Sequence, residues 1–411
     1  MVQHNPGMRA SIAQGLGSGG RTIVLLGVVS LLTDVSSEMI LNVLPIFLTG
    51  TLGVSVLAVG VIEGVGESTA ATMRLIAGQL SDRLRRRTPI MFAGYGLSAL
   101  TKPLFALVTG PGLAGLLRFM DRAGKARGPA RDALIADAAS EGARGAAFGL
   151  HRAMDTAGAV VGISLAALTV WVLGSDGLSR GDFQRLVLIA SFPAFAGVLL
   201  LTRVRESPAA RAEARTRSGW LTWPATATER RYLVAVLLFG LGNSSDAFII
   251  LRMIDVGAGI VGALLLLVVM NISHVLVAVP AGLLSDRTGR RSLLLGAYAA
   301  YALIYAAFAG LNDAWQFIPL LILYGAYYGV TEGVARAFVA DLVPPQSRGA
   351  AFGWFYAATA IAALPASIVA GWLWTEFGPG ATFVFGSACA VAATVALATV
   401  PVPVREETSG A

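Results

Sequence analysis

Charged residues are scarce in this sequence, and cysteine is almost absent. Only 13% of the 411 residues are Asp, Glu, Lys or Arg, whereas a soluble domain usually carries about a quarter. Hydrophobic residues make up 55%, so most of the surface must face something other than water, and a lipid bilayer is the natural candidate. With a single cysteine, Cys389, an internal disulfide is impossible.

Motifs for catalysis or nucleotide hydrolysis are also missing. The sequence has no Walker loop, nucleophile elbow or metal-ligand cluster. The net charge of +7 could suggest nucleic-acid binding, but the basic residues lie in separate short loops rather than on one polar face. We therefore expect neither an enzyme nor a nucleic-acid-binding protein, and we expect no metal or cofactor.

Apolar runs bounded by charge, glycine or proline predict twelve membrane-spanning helices, because each span needs about 20 apolar residues. The predicted spans are 22–48, 56–81, 89–109, 112–138, 146–172, 184–202, 232–251, 257–284, 292–311, 315–341, 350–373 and 379–402. This is an all-α membrane protein with two six-helix bundles, at 21–203 and 231–403. A linker at 204–230 joins the bundles, with a disordered tail at 1–20 and a second tail at 404–411.

The distribution of arginine predicts the orientation in the membrane. With both termini inside, nineteen arginines fall in cytoplasmic segments and only three, Arg180, Arg185 and Arg252, fall in external loops. Basic residues are enriched on the cytoplasmic side of membrane proteins. We expect a multi-pass protein of the inner (plasma) membrane with both termini in the cytoplasm.

The two bundles carry matching segments. At an offset of 204, segment 77–83 recurs as 281–287, segment 144–149 recurs as 348–353, and Asp137 recurs as Asp341. Three independent matches at one offset indicate duplication of a six-helix unit. Two parallel repeats about an axis along the membrane normal are typical of one architecture of secondary transporters.

One of the repeated segments resembles a family signature. Gly78-x-Leu80-x-Asp82-Arg83-x-x-Arg86-Arg87, with a second copy beginning at Gly282, is similar to the loop 2–3 signature of the major facilitator superfamily. The chain resembles its bacterial 12-helix drug/proton antiporters. The resemblance implies a cytoplasmic gate at Gly78, Asp82, Arg83, Arg86, Asp137, Gly282, Asp286, Arg290 and Asp341. Alternatively, the arginines serve only to fix the topology.

Ionisable residues inside membrane helices are costly and therefore line a cavity or pair with one another. The candidates for proton coupling are Glu38, Glu67 and Asp155, in that order, together with Asp34 and Arg118. Arg118 falls where the family has a helix 4 arginine that proton-coupled efflux members link to proton transfer. The alternative is a buried ion-pair network that only locks the N-terminal bundle.

Helix 4 has the most unusual sequence. Arg122 stands where the family usually has glycine. Asp121 can pair with Lys125 one turn further along the helix. Pro129 is expected to break the helix.

Residues from both bundles are candidates for contact with the solute: Lys102, Arg122, Arg152, Asp246, Tyr328 and Glu332. The segment Ser244-Ser245-Asp246 repeats Ser36-Ser37-Glu38, so Asp246 is the counterpart of Glu38 in the second bundle.

The leading functional hypothesis is proton-coupled efflux of a small organic molecule by alternating access, performed by a monomer without ATP hydrolysis. An importer or exchanger of an anionic metabolite is the alternative, for which Lys102, Arg118, Arg122 and Arg127 would supply positive charge. A non-transporting membrane sensor is a remote third, because the chain has no sizeable soluble domain to relay a signal.

Overall fold

The computed structural model describes residues 19–84, 87–139, 144–173, 178–204, 226–343 and 348–401. Within these ranges it describes side chains except at 78–84, 136, 144–146, 279, 283, 286–287, 340 and 348–350. Twelve helical spans form the described part: α1 Gly20–Thr51, α2 Val56–Leu84, α3 Thr88–Leu107, α4 Pro111–Ala138, α5 Arg144–Leu173, α6 Arg180–Leu201, α7 Ala227–Asp255, α8 Gly259–Thr288, α9 Arg290–Ala309, α10 Phe317–Asp341, α11 Arg348–Phe377 and α12 Pro379–Ala398.

Eleven of these spans are long and apolar enough to cross a membrane by length and composition. The remaining one is α4, in which a 3-10 turn at Gly124–Ala126 separates Pro111–Ala123 from Arg127–Ala138. Three of its charged side chains, those of Arg118, Asp121 and Arg127, are buried where α4 packs against α2 and α3. The all-helical, twelve-span architecture of the described residues therefore agrees with the sequence prediction, which includes 112–138 as the fourth span.

The ends of the helices define two sides of the bundle. We call the side where α1 begins and α12 ends the termini side, and the opposite side the far side. A Cβ atom at Gly19 would meet the carbonyl oxygen of Ala138, which places the start of α1 beside the end of α4. In the second half, Arg291 donates to the carbonyl oxygen of Leu397 at 3.3 Å, so α9 begins where α12 ends.

The two halves, α1–α6 and α7–α12, pack tightly against each other toward the far side. A Cβ atom at Gly60 of α2 would collide with the carbonyl oxygen of Ser367 in α11, so only glycine permits this approach of the two helices. Farther along, the segment Leu44–Ile46 of α1 contacts Ala247–Asp255 of α7. These contacts close the molecule on its far side.

The first helix of each half is interrupted beside an acidic residue. In α1 the regular helix ends at Leu41, and the Asn42 side chain donates to the Glu38 carbonyl oxygen at 2.9 Å. In α7 the helix stops at Gly242 and resumes at Ala247. Freed backbone groups at membrane depth are tolerated only where protein or water satisfies them. Neither interruption was predicted from the sequence.

Two further expectations are corrected. Pro129 lies in the first turn of Arg127–Ala138, where proline is tolerated, so the irregular turn precedes it at Gly124–Ala126. The first helix of the second half begins at Ala227 rather than at 231, because Thr226 and Glu229 form a capping box. The predicted tails, and positions 205–225 of the predicted linker, lie outside the described residues.

Candidate functional site

A buried ion pair holds α3 against α4. Lys102 Nζ lies 2.9 Å from Asp121 Oδ1, and neither side chain is more than 3% exposed. Ser98 donates to the same Asp121 oxygen at 2.6 Å, and Lys102 donates to Ser37 of α1 at 3.0 Å. The expected Asp121–Lys125 pair is therefore wrong, since Asp121 pairs with another helix. Lys102 is neutralised and is not available to a solute in this state.

A second group of charges links α4 to α2. The guanidinium of Arg118 pairs with Glu63, and both side chains are buried. Arg122 pairs with Glu67 at 2.8 Å, and Glu67 remains 42% exposed. The Ser245 hydroxyl of α7 donates to Glu63 at 3.2 Å, so this network reaches into the other half. Arg118 thus fits the interpretation as a locking ion-pair network, whereas Glu67 is partly exposed to solvent.

Glu38 and Asp246 differ from these acids because no basic side chain of the described residues pairs with either one. The Glu38 carboxylate accepts a hydrogen bond from Asn42 at 2.8 Å. The Asp246 carboxylate accepts hydrogen bonds from Tyr324 at 2.9 Å and Tyr328 at 3.2 Å. Glu38 lies near enough to Asp246 to interact with its charge across the two halves. The predicted pseudosymmetric pair thus lies at the interface of the two halves, and we call the space between Glu38 and Asp246 the central pocket.

Helical spacing and close packing position the tyrosines around Asp246. Tyr324 and Tyr328 are one turn apart on α10, and their ring centroids lie 5.0 Å apart. A Cβ atom at Gly329 would lie 2.7 Å from the carbonyl oxygen of His274, so glycine lets α10 pack closely against α8. Tyr301 of α9 donates to the carbonyl oxygen of Gly242 at 3.2 Å and so satisfies the interrupted end of α7.

A carboxyl pair lies between α1 and α5. The side chains of Asp34 and Asp155 are in hydrogen-bonding contact with each other. Ser30 donates to Asp155 at 2.6 Å, and Arg131 of α4 lies 4.0 Å from the same Asp155 oxygen. Two carboxyl groups in contact cannot both hold a negative charge cheaply, so the pair is suited to sharing one proton.

One ion pair joins the two halves toward the termini side. Arg152 of α5 pairs with Glu332 of α10, and the same guanidinium lies 3.6 Å from Asp155. The Glu332 carboxylate also lies 3.1 Å from the His274 ring nitrogen and 3.7 Å from the Arg336 guanidinium. Arg152 and Glu332, both predicted to contact the solute, therefore satisfy each other in this state. Arg152 connects the carboxyl pair of one half to the other half.

Exposure of the charged side chains indicates which side of the pocket is open. Toward the far side, Lys102, Arg118 and Glu63 are at most 4% exposed. Nearer the termini side, Arg152 is 48% exposed and Glu332 is 32% exposed. Solvent therefore reaches the Arg152–Glu332 pair from the termini side, whereas the three far-side charges are shielded from it.

The predicted gate residues are described only in part. Gly78, Asp82, Arg83, Arg86 and Asp286 lie outside the described residues or side chains. Asp137 pairs with Arg87, and Asp341 pairs with Arg290 at 2.5 Å. A Cβ atom at Gly282 would meet nothing within 4 Å, so this glycine makes no close helix contact in this state.

Both described gate pairs lie within one half, since α3 bonds to α4 and α9 bonds to α10. At the offset of 204 Asp137 corresponds to Asp341, whereas Arg87 corresponds to Arg291, so the equivalent acids pair with arginines one position apart in the repeat. These pairs brace the ends of neighbouring helices, whereas the Arg152–Glu332 pair connects the halves.

Several contacts in these networks were not predicted from the sequence. Ser30, Glu63 and Arg131 each contact a predicted residue from another helix, and Ser245 contacts Glu63. His274 of α8 also contacts Glu332, a predicted residue, at 3.1 Å. The available signal was their ionisable or hydroxyl character inside apolar spans, which marks a functional position by default.

Comparison with known proteins agrees with this architecture. The family model of the Major Facilitator Superfamily matches residues 26–273 and 253–411. An uncharacterised transporter of the same type from Methanocaldococcus jannaschii is 32% identical over 379 residues, which are 90% of this chain and 92% of the relative. An uncharacterised protein of Mycobacterium tuberculosis is 29% identical over 371 residues, covering 87% of both chains.

Among solved structures, the nucleoside transporter NupG matches with a TM-score of 0.77 at 15% sequence identity. The match covers 92% of this chain and 99% of that one. At this identity the likeness concerns the fold alone.

Proposed function

Because the chain belongs to the major facilitator superfamily of membrane transporters, we propose that it is a secondary transporter that exports a small organic solute in exchange for protons. Membership of this family indicates a transporter rather than an enzyme. In this proposal, transport is coupled to protons and directed outward. The central pocket of a single chain opens alternately to the two sides of the membrane.

The position of Arg152 is the observation that carries proton coupling. It lies 3.6 Å from Asp155, which is in contact with Asp34, and it pairs with Glu332 of the other half. A proton taken up by the carboxyl pair removes one negative charge and weakens its hold on Arg152. Arg152 is then held by Glu332, which draws the two halves together on the termini side.

Loss of that proton shifts the attraction on Arg152 from Glu332 back to the carboxyl pair. The doubly ionised pair of Asp34 and Asp155 attracts Arg152 and Arg131 more strongly, and Glu332 keeps only His274 and Arg336. The cross-half ion pair then weakens and the termini side opens. A ligand shifts a conformational equilibrium only through different affinity for the two states, and here the proton is such a ligand.

The outward direction rests on orientation and on the inward proton gradient. The bias of arginine toward the segments on the termini side supports a cytoplasmic termini side in the plasma membrane. Deprotonation then opens the pocket to the cytoplasm, where the solute enters after the proton leaves. Solute and proton occupy the transporter in turn, so an inward proton flow drives solute out.

The alternative, an importer or exchanger of an anionic metabolite, loses much of its support. Lys102 is paired with Asp121, and Arg118 with Glu63. Arg127 is buried with its guanidinium 4.4 Å from the centre of the Tyr95 ring. Arg122 lies in the pocket but is paired with Glu67. These cations are therefore already neutralised or sequestered.

Proton movement in proteoliposomes tests the proposal. The purified full-length chain is reconstituted in vesicles containing a pH-sensitive dye, and a panel of cationic, neutral and anionic compounds is added under an imposed proton gradient. We expect at least one compound to dissipate the imposed proton gradient. That compound should move across the membrane in the direction opposite to the protons.

Two variants sharpen this test. Asp155→Asn should abolish solute-dependent proton movement, whereas Asp255→Asn, which alters an ion pair with Arg252 near the far-side surface, should keep it. Full coupling in Asp155→Asn would show that the carboxyl pair does not carry the proton. Solute and protons moving in the same direction would contradict export.

A further inference from the structure

The surroundings of Asp246 suggest what the central pocket binds. Asp246 lies at the interruption of α7, where its carboxylate accepts hydrogen bonds from Tyr324 at 2.9 Å and Tyr328 at 3.2 Å. Both donors are neutral phenols. They orient the carboxylate, but they carry no positive charge that could balance it.

The charge of Asp246 is not balanced by the protein. No basic side chain among the described residues pairs with Asp246, and the neighbouring charges it senses from the other half are Glu67 and Glu38. Arg122 already pairs with Glu67 at 2.8 Å. Glu38 has only the Asn42 amide as a hydrogen-bond donor. Two acids, one from each half, thus have no ion-pair partner among the described residues, and Arg122, which also interacts with the charge of Glu38, is already paired with Glu67.

A buried hydroxyl beside this acid also lacks a partner. Tyr305 is 1% exposed, and its hydroxyl makes no hydrogen bond to any described residue. Its ring stacks on Tyr301 at 4.1 Å, and it lies near enough to Asp246 to sense its charge. An unsatisfied polar group in a buried site costs free energy unless a ligand or water occupies the space beside it.

Aromatic rings complete the constellation. Six tyrosines of α9 and α10 form one cluster in which Tyr298 is joined to the others through Phe239 of α7: Tyr298, Tyr301, Tyr305, Tyr324, Tyr327 and Tyr328. Aromatic faces attract cations within about 6 Å of the ring. An ionised carboxylate beside such faces, with hydroxyl groups at hand, has the chemistry that recognises an alkylammonium group.

We infer that Asp246, Tyr324 and Tyr328, facing Glu38 across the pocket, form a binding site for a protonated organic amine. The ammonium group pairs with the Asp246 carboxylate, and the organic part of the solute packs against tyrosine rings. This inference rests on the proposed transport function and names its class of solute. An anion of the same size would meet two unpaired carboxylates and is rejected.

Binding measured without any gradient tests the inference. The full-length chain in detergent is titrated at neutral pH with compounds that share a skeleton and differ in charge, and its unfolding temperature is recorded. One set is tryptamine, tryptophol and indole-3-acetate, and a second is phenethylamine, 2-phenylethanol and phenylacetate. We expect the amine of at least one set to raise the unfolding temperature, and its neutral and anionic partners to have little effect.

Variants locate the site. Asp246→Asn should weaken amine binding by about tenfold or more, since a hydrogen bond to a charged group contributes about 1.5–3 kcal/mol. Tyr328→Phe removes one hydroxyl from Asp246, keeps the ring, and should weaken binding severalfold. Tyr298→Phe is the matched control, because Tyr298 belongs to the same cluster but makes no hydrogen bond to Asp246; it should bind as the unaltered chain does.

Three results would overturn the inference. They are equal binding of the alcohol or the acid, amine binding that survives both Asp246→Asn and Tyr328→Phe, and no stabilisation by either amine. If Asp246→Asn does not fold, Tyr328→Phe against Tyr298→Phe decides the question. Amine binding without coupled proton movement would refute the proposed function and leave the site intact, whereas proton coupling without amine binding would do the reverse.

Discussion

At the scale of single residues, the ion pair of Lys102 and Asp121 makes a clear prediction about stability. Both side chains are buried, and their charged atoms lie 2.9 Å apart. Lys102→Ala leaves the Asp121 carboxylate buried without its cation, which costs about 3–5 kcal/mol of unfolding free energy. Thermal unfolding of the purified protein in detergent should show a clear loss of stability.

A double variant separates the ion pair from packing. Lys102→Met combined with Asp121→Leu removes both charges and keeps apolar volume, so it should recover much of the stability lost by Lys102→Ala. If the double variant unfolds at a lower temperature than the single one, the cost does not come from an uncompensated charge.

The same residues show what a sequence can predict at this scale. The acids and bases inside the spans were identified as candidates because an ionisable group inside a membrane costs free energy. The structure gathers most of them around one pocket. Their partners could not be predicted, because helical spacing reports only neighbours on the same helix. Asp121 was matched with Lys125 on that ground, whereas the rotation of α3 brings Lys102 to it.

At the scale of helices, the approach of α2 to α11 should control closure of the far side. A Cβ atom at Gly60 would collide with the backbone carbonyl of Ser367, which has no freedom to turn away. Gly60→Ala should therefore push α11 outward and loosen the far side. At Gly115 of α4 a Cβ atom would make ordinary contact at 3.6 Å with Ile62, so Gly115→Ala is the control.

Cysteine accessibility measures this effect. Ser367 is 2% exposed, and Cys389 is the single native cysteine, so Ser367→Cys in a Cys389→Ala background provides one reporter thiol. We expect a membrane-impermeant maleimide to react with it faster in Gly60→Ala than in Gly115→Ala. Equal rates would mean that this glycine contact does not hold the far side closed.

Element boundaries were largely predictable, but the interruptions were not. Apolar run length is a direct consequence of membrane thickness, so the predicted spans agree with the helices to within several residues. The interruption of α7 depends on the Tyr301 hydroxyl that bonds to Gly242, and the irregular end of α1 on the Asn42 side chain. These contacts are tertiary and leave no hydropathy signal. The capping box at Thr226 and Glu229 was a readable signal for the start of α7.

At the scale of the whole molecule, the cross-half ion pair should regulate the opening of the termini side. Arg152→Glu or Glu332→Arg alone places like charges opposite each other and should reduce transport strongly. The charge-swapped double variant, Arg152→Glu with Glu332→Arg, should recover part of it, because the pair is restored in reverse. Full recovery is not expected, because the carboxylate introduced by Arg152→Glu would also border Asp155. A double variant no more active than either single one would contradict a direct interaction.

Sequence alone predicted the duplication and therefore the global architecture, because a repeat at constant offset survives divergence of individual residues. It could not predict which residues of one half meet the other. Arg152 and Glu332 lie 180 positions apart, and no local pattern relates them. Contacts between halves also change during transport, so they are properties of a conformational state as well as of the chain.

The most direct test of the central claim is the distance between the halves as a function of pH. Spin labels on Thr202→Cys and Thr399→Cys, in a Cys389→Ala background, report this distance at the termini side, since both residues are exposed just beyond the ends of α6 and α12. His274→Gln serves as the control for titration of the histidine beside Glu332.

The account predicts a longer distance at high pH, when the pair of Asp34 and Asp155 is ionised and holds Arg152, and a shorter one at low pH. His274→Gln should keep this response, and Asp155→Asn should remain at the short distance throughout. A distance independent of pH in the unaltered chain, or an unchanged pH response in Asp155→Asn, would contradict proton control of the opening.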